Sequence, residues 1–313
     1  MDIRVLQYFL TVAREESFTR AAETLRMTQP PLSRQLKDLE EELGTQLLIR
    51  GSKKVTLTED GMLLRKRAEE MIDLMEKTKA ELASSGNNIN GDVYIGGGET
   101  DAISLFAQTA GKLQEKYPLI HYHIYSGDAE IVMEKLDKGL IDFGLLVGPV
   151  DVSKYEYMRL PTSDIWGVLM RKDSPLAEKE TICAKDLWDK PLILSHQTSI
   201  SGDMTAWLQR DVSKLNIVMT YDLLFNASLF VKKGIGYAIA LDKIINTTGD
   251  SELCFRPLSP TLEAGLCIVW KKYQVFSKAS KEFLRLLRSE WDTESGGSAV
   301  SCPVGNRRTR QSM

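Results

Sequence analysis

The chain has 313 residues, 43% of them hydrophobic, with four cysteines and a formal net charge of −3. That length allows two or three domains with ample core. The hydrophobic content is that of an ordinary globular protein, and the slightly acidic balance excludes a protein that coats nucleic acid indiscriminately. No segment reaches the length of a membrane span, and the opening MDIRVLQYFL lacks signal-peptide form, so a cytoplasmic chain is expected. Cys183, Cys254, Cys267 and Cys302 form no CxxC or Cys/His cluster; they are expected to be free thiols, with no metal site and no cofactor.

Ser17 to Arg50, SFTRAAETLRMTQPPLSRQLKDLEEELGTQLLIR, carries the most information. A short helix is predicted over Phe18–Leu25, a polar break at Arg26-Met27-Thr28, and a second helix over Gln29–Leu43. Two short helices joined by a three-residue turn form a helix-turn-helix, whose second helix enters a DNA major groove. Leu32, Leu36, Leu39 and Leu43 form one apolar stripe for packing on the first helix, where Ala21 and Ala22 allow close approach. Gln29, Pro30, Ser33, Arg34 and Lys37 lie off that stripe. Thr28 is the expected N-cap, and prolines are tolerated in a first turn. Free amides, a hydroxyl and a guanidinium would then share one helix end. Arg bonds a guanine edge bidentately, whereas Ser and backbone N–H groups hold phosphates. The bland alternative is a helical hairpin with Arg34 as a solvated charge.

Leu47–Thr58, LLIRGSKKVTLT, predicts a two-stranded wing around Gly51-Ser52, with Arg50, Lys53 and Lys54 at its tip. Such a wing touches the sugar-phosphate backbone and supplies salt-dependent affinity. Residues 1–58 hold nine Lys/Arg against eight Asp/Glu, a net of only +1, so affinity must come from local placement. A long helix follows, with Thr58 as cap and Glu59 and Asp60 near its positive end. Leu64, Ala68, Met71, Met75, Thr78 and Leu82 step by 4, 3, 4, 3, 4, a heptad seam with one polar position. At about 1.5 Å per residue this rod is about 36 Å long. A narrow stripe on such a rod suits a partner helix; one amphipathic surface helix is the alternative. Ser84 to Asn88 reads as a hinge.

The pattern AAETLRMTQPPLSRQLKDLEEELGTQLLIR, followed by KKVTLTEDG, resembles the LysR-type transcriptional regulators. The resemblance is specific over about the first 60 residues and looser to about residue 291. It implies a winged helix-turn-helix (1–58), a linker and dimerisation helix with hinge (59–88) and a two-lobed, periplasmic-binding-protein-like effector domain (89–291). It also implies that Gln29, Pro30, Ser33 and Arg34 lie at the DNA, that Arg50 and Lys53 act from the wing, and that dimers associate to tetramers. Leu48 stands where Phe is common, Lys53 where Arg is frequent, and Glu59-Asp60 where small residues are usual. Lys53 would act as a point charge without Arg's fork. The resemblance admits RNA polymerase as a further partner.

Residues 91–291 alternate strand-like and helix-like patterns, an α/β signal. Strands are expected at 92–99, 122–126, 142–148, 163–171, 192–194, 234–240 and 266–270. Helices are expected at 102–117, 128–138, 202–212, 226–233 and 277–291. Lobe I should comprise 91–161 and 267–291, and lobe II 162–266; the polar, Gly/Ser-rich segment 292–313 is expected to be a disordered tail. Ligands in such sheets lie beyond the carboxyl ends of strands, near helix N-termini. Those points are Gly98-Glu99-Thr100-Asp101, Ser126-Gly127-Asp128, Val147-Gly148-Pro149, Ser195-His196-Gln197 and Phe225-Asn226. Thr100 and Ser195 could equally be caps. Glu99 and Asp101, if turned inward, would oppose an anionic effector.

Other signals carry little. Gly96-Gly97-Gly98 lacks dinucleotide spacing. His121 and His123 share a strand face with no carboxylate or Cys at ligand spacing, so an exposed edge strand is favoured over a metal site. Ser195-His196 has no G-x-S-x-G elbow, and no catalytic set is coherent. Peroxide-sensing members of the resembled family carry a redox pair in the region placed here at Ser195–Arg210, which has no Cys. The reading is an effector-responsive, DNA-binding regulator and not an enzyme; the competing class is a small-molecule sensor without DNA binding.

Overall fold

The computed structural model describes residues 1–51, 54–83, 89–148, 150–196 and 202–291. Lys53, the hinge at 84–88, Pro149, Gln197, Cys302 and the tail lie outside these residues. The chain divides into two compact units, Met1–Ser85 and Gly86–Met313.

In the first unit, α1 (Ile3–Glu15) occupies a stretch where the sequence reading placed no element. Asp2 caps it by accepting from Arg4 N at 2.8 Å, and Val5, Leu6, Phe9 and Val12 face the core. Helix α2 (Phe18–Thr24) starts at Ser17, and Arg26 takes φ 55° in the turn. Helix α3 (Gln29–Leu43) keeps its predicted bounds. Leu32, Leu36 and Leu39 pack with Phe9, Phe18, Ala21 and Ala22. Leu43 does not join them: it is 41% exposed, because the chain turns away at Gly44, φ 68°. Glu40 Oε1 accepts from Leu47 N at 2.7 Å and Leu48 N at 3.0 Å, tying α3 to the strand that follows.

That strand, β1 (Leu48–Arg50), pairs antiparallel with β2 (Val55–Leu57) through Leu48↔Leu57 and Arg50↔Val55. Thr58 caps α4 (Glu59–Ala83): its Oγ1 accepts from Gly61 N at 2.9 Å and donates to Gln46 O at 2.7 Å. The predicted seam is split in use. Leu64 packs on the winged core and Ala68 is fully buried, whereas Met71 and Leu82 remain exposed.

The second unit opens with β3 (Gly91–Gly97), α5 (Ile103–Lys116), β4 (Ile120–Ser126), α6 (Ala129–Asp137) and β5 (Phe143–Val147). Strand β3 lies between β4 and β5, parallel to both. Parallel neighbours need crossover helices, and α5 and α6 supply them. Gly96 and Gly97 are packing glycines: a Cβ at Gly96 would come within 2.6 Å of Ile141, and one at Gly97 within 3.0 Å of Leu145. Strand β6 (Tyr155–Arg171) begins eight residues before the predicted Ser163 and crosses from one lobe to the other. Lobe II continues with β7 (Ile182–Cys183), α7 (Ala184–Leu187), β8 (Leu192–Ser195), α8 (Gly202–Leu208), β9 (Ile217–Tyr221), α9 (Leu224–Lys232), β10 (Tyr237–Leu241) and β11 (Leu253–Ser259). Strand β12 (Glu263–Lys271) returns to lobe I, and α10 (Lys278–Trp291) closes it. The strand order is β4-β3-β5-β12-β6-β10-β8-β9, with β11 beside β6 and β7. Strands β7, β9 and β11 were not anticipated.

Each lobe has its own core. Val93, Ile95, Phe106, Phe143, Ile268 and Phe283 anchor lobe I; Val168, Leu192, Leu194 and Ile239 anchor lobe II. Asp142, 2% exposed, pins lobe I: its Oδ2 accepts from Tyr94 N at 3.0 Å and Ser280 Oγ at 2.9 Å, joining β3 to α10. Replacing Asp142 by Ala strands both buried donors and should cost about 2 kcal/mol. All five tryptophans lie in the second unit. Tryptophan fluorescence in a urea titration therefore reads that unit alone, and its midpoint should fall in Asp142→Ala.

Candidate nucleic-acid interface and effector cleft

Helix α3 presents Gln29, Pro30, Arg34 and Lys37 as exposed residues, with Ser33 half-buried beside them. Among the described residues Arg34 makes no ion pair or hydrogen bond, so its guanidinium fork is available to a ligand. Lys37 pairs with Glu41 at 3.1 Å and Lys54 with Glu16 at 3.4 Å. Both pairs are exposed, contribute little, and exchange readily for phosphate. Two expectations need correction. Thr28 occupies the N-cap position but makes no side-chain cap hydrogen bond. Pro30 and Pro31 also remove two of the amides that a helix start offers, so anion contacts there fall mainly to side chains.

Arg50 differs from a free wing charge. Its Nη1 donates to Ser33 Oγ at 2.9 Å, and its guanidinium lies 4.6 Å from the centroid of the Phe18 ring. The wing root is thereby fixed to both helices of the motif. Sequence spacing alone could not pair Arg50 with Ser33, since the contact depends on how β1 returns past α3.

In the second unit the segment after the carboxyl end of β3 meets β6 and the start of α9 where the two lobes touch. Two of the predicted cleft residues make the contact itself. Glu99 Oε2, from lobe I, accepts from Leu224 N at the first turn of α9 in lobe II. Thr100 Oγ1 accepts from Ala102 N at 3.1 Å and donates to Asp164 Oδ2 of β6. Thr100 thus caps the turn into α5 and bridges the lobes at once, and it is buried. Asp101 is exposed, so the acidic pair does not turn inward together. Ser126, His196, Phe225 and Asn226 are exposed, whereas Val147, Gly148 and Ser195 are half-buried at the rim.

Asp164 and Asp242 were missed. Asp164 is 3% exposed. Burial pushes its carboxyl above the usual range; the Thr100 hydrogen bond opposes this, nearby Asp242 and Asp101 reinforce it, and Lys243 pulls it back. Asp242 Oδ1 accepts from Ile165 N at 2.9 Å. The available signal was an acid set beside the apolar run Ile165–Met170. Tyr221 also faces the site: its hydroxyl donates to Ile239 O at 2.9 Å, and burial together with the Glu99 charge raises its pKa.

Strand pairing alters the reading of the two histidines. β4 is an edge strand, but Asp92 on β3 lies 3.0 Å from His123 Nε2 and 3.9 Å from His121 Nδ1. The carboxylate absent at local spacing is thus supplied across the sheet, and Tyr94 stacks on His123 at 4.6 Å. No group of three or more ligands fit for a metal occurs among the described residues. Cys183 is exposed, while Cys254 and Cys267 are buried; all three are free thiols.

Residues 3–62 match the model of the bacterial regulatory helix-turn-helix protein, lysR family, and residues 86–292 match the LysR substrate binding domain. The chain belongs to the LysR family of transcriptional regulators. This LysR regulator is 28% identical over 299 residues to the uncharacterized HTH-type transcriptional regulator YfeR of Shigella flexneri, spanning 95% of this chain and 96% of that protein. It is 27% identical to the Hca operon transcriptional activator HcaR of Escherichia coli, over 92% of this chain and 97% of that one. In fold it is similar to full-length CbnR complexed with its target DNA, with a TM-score of 0.74 at 17% identity, covering 92% of this chain and 99% of CbnR. The protein is a DNA-binding transcriptional regulator with a small-molecule-binding domain, and no helix among its described residues is long and apolar enough to cross a membrane.

The lobe contact generates a pH prediction for this LysR regulator. A carboxyl raised by folding binds its proton more tightly in the native state, so its ionisation weakens the fold as pH rises through the window above the ordinary carboxylate value. Asp164→Asn keeps an acceptor for Thr100 and removes the buried charge. Its thermal midpoint at neutral pH should match or exceed that of the unmodified protein. The difference should close as pH falls below the ordinary Asp range. A gap that widens with acid would refute the burial argument.

Proposed function

We propose that this regulator reads a pseudo-palindromic operator with two α3 helices and answers to a small effector held between the lobes of its second unit. The observation that carries the reading is the exposed set Gln29, Arg34 and Lys37, with half-buried Ser33, on one face of α3, braced by Arg50 from the wing. Arg34 is the base-reading residue. Lys37 and Lys54, with Lys53, serve the phosphates, and Pro30 sets the approach of the helix start. Replacing Arg34 by Ala should cost about 1–3 kcal/mol of operator affinity and relax preference at one base pair. Replacing Lys54 should weaken all sequences alike and flatten the salt dependence. A binding-site selection that returns no enriched motif would sink the proposal.

The protein acts as a dimer that pairs again. On α4, Leu63, Met71, Leu74 and Leu82 are exposed apolar residues within one stripe, and Met75 borders it. In the second unit the edge strands β4 and β9 expose Ile124, Tyr125 and Val218, and α9 exposes Phe225, Leu229 and Phe230. Exposed edges and apolar patches of this kind seek partners. Phe225 therefore supports assembly better than effector contact. Placing Glu at Met71 and Leu74 should break the α4 pairing, because charge would enter a desolvated seam. Light scattering at micromolar concentration should show a smaller particle than for the unmodified protein; a monomeric unmodified protein would refute the pairing. The effector cleft comprises Thr100, Ser126, Val147, Gly148, Ser195, His196 and Asn226. Regulation through RNA polymerase, in the cytoplasm where the operator lies, completes the reading.

A further inference from the structure

Beyond β10 the chain turns through Lys243, whose φ of 61° is a left-handed backbone that a residue with a Cβ rarely adopts. The loop that follows is braced. Asn246 Oδ1 accepts from Thr248 N at 2.9 Å and from Thr248 Oγ1 at 2.8 Å, Ser251 Oγ donates to Asn246 O at 2.9 Å, and Lys172 Nζ donates to Gly249 O at 3.0 Å. This loop walls a hollow of about 500 Å³ against β6 and β11, a size within the range of small-molecule sites. The floor is apolar: Ile165, Ile245, Phe255 and Pro257 line it, all half-buried. Phe255 lies directly on Gly167 of β6, where a Cβ would come within 2.1 Å of its ring; a strand glycine of this kind lets another group approach the backbone closely. The rim supplies donors. Holding Oδ1 as an acceptor fixes the Asn246 amide and leaves its NH2 to donate. Neither that group nor the Thr247 hydroxyl has a hydrogen-bond partner among the described residues. Lys243 adds an exposed ammonium with only a 3.7 Å pair to Asp242. None of the proposed cleft residues lines this hollow. Asp164 turns to Thr100, and Ile165, next along the strand, takes the other face of the sheet.

We propose that this hollow is a second small-molecule site, on lobe II and outside the cleft, for a planar apolar molecule carrying a single acidic group. The ring system rests on Phe255, and the acidic group is taken by Lys243, the Asn246 NH2 and the Thr247 hydroxyl. Three donors without a hydrogen-bond partner call for an acceptor, and an anionic acceptor gains most from the ammonium. Asp242 is the one acid lining the hollow, and its Oδ1 already accepts from Ile165 N at 2.9 Å. The long exposed Lys243–Asp242 pair contributes little and exchanges readily for a ligand's anion. The Asp242–Ile165 bond also sets the site beside the lobe crossing, since Ile165 adjoins the Asp164 that meets Thr100. The site stands apart from the effector-cleft reading and does not rest on it.

The test is calorimetric titration of the full-length protein with naphthoate and with naphthalene methanol, which keeps the rings and lacks the charge. Naphthoate should bind saturably and about tenfold more tightly than the alcohol. Lys243→Asn, whose side chain tolerates the left-handed backbone, should abolish that preference while the alcohol still binds. Thr247→Val keeps the shape and loses the hydroxyl, so it should weaken naphthoate and leave the alcohol unchanged. Each variant is compared with the unmodified protein by thermal midpoint before titration, and either one that folds suffices for the comparison. Two results overturn the inference. One is the absence of saturable naphthoate binding to the unmodified protein. The other is an acid preference that persists undiminished in the folded variants, which places naphthoate elsewhere on the chain, the inter-lobe cleft included.

Discussion

The pairing of β6 with β12 is the constraint on which the second unit depends. These antiparallel strands run from Tyr155↔Lys271 in lobe I to Ile165↔Glu263 at the entry to lobe II. Both lobes therefore grow from one ladder, β5 adding to β12 on one side and β10 to β6 on the other. The ladder is irregular between Gly265 and Cys267, opposite Leu160 to Thr162. Pro161 falls in that gap, and a proline has no amide to give a ladder. A bulge bends and twists the strand that carries it. The irregularity thus lies where the chain passes between lobes, and the Thr100–Asp164 contact lies two residues beyond it.

The DNA-reading half solves a different problem, namely binding a polyanion with a net charge of only +1 over residues 1–58. It does so by placement. Its acids are spent on backbone and on weak exposed pairs: Glu40 holds two wing amides, and Glu41 and Glu16 accompany Lys37 and Lys54. Arg34 stays unpaired among the described residues. Arg50 gains rigidity from Phe18 and Ser33, so it has less side-chain freedom left to lose than an unbraced cation. A surface built this way discriminates by geometry, because little long-range attraction is available to hold a wrong sequence.

Local pattern was enough to read much of this in the sequence. The bounds of α3, the wing and the cap at Thr58 follow from apolar spacing and capping chemistry within a few residues of each site. What escaped depended on distant partners. α1 is amphipathic, but Val5, Leu6, Phe9 and Val12 acquire meaning only against α3. β9 and β11 become strands because β8 and β6 offer them edges. Leu43 looked like a fourth core leucine, yet Gly44 ends the helix before any partner reaches it. Of the cleft residues, Glu99 and Thr100 were legible from their place after a strand. Asp164 was not, since its partner is 64 residues away and joined through the lobe crossing.

The acids of this chain share a habit that composition conceals. Glu40 accepts from the amides of Leu47 and Leu48, Asp142 from Tyr94, Asp242 from Ile165 and Glu99 from Leu224. Each satisfies a backbone donor that its own secondary structure leaves open, and each joins elements distant in sequence. A charged acceptor bonds an amide more strongly than a neutral one, which suits junctions carrying little apolar area. Counting these residues in the net charge of −3 treats them as a surface field, when chemically they are structural joints. The distinction matters most at Glu99. A carboxylate used as a joint in a fixed core, as with Asp142, has no reason to move. Glu99 instead joins two lobes that share a single ladder. What each carboxylate joins is thus set by the backbone around it rather than by the residue type.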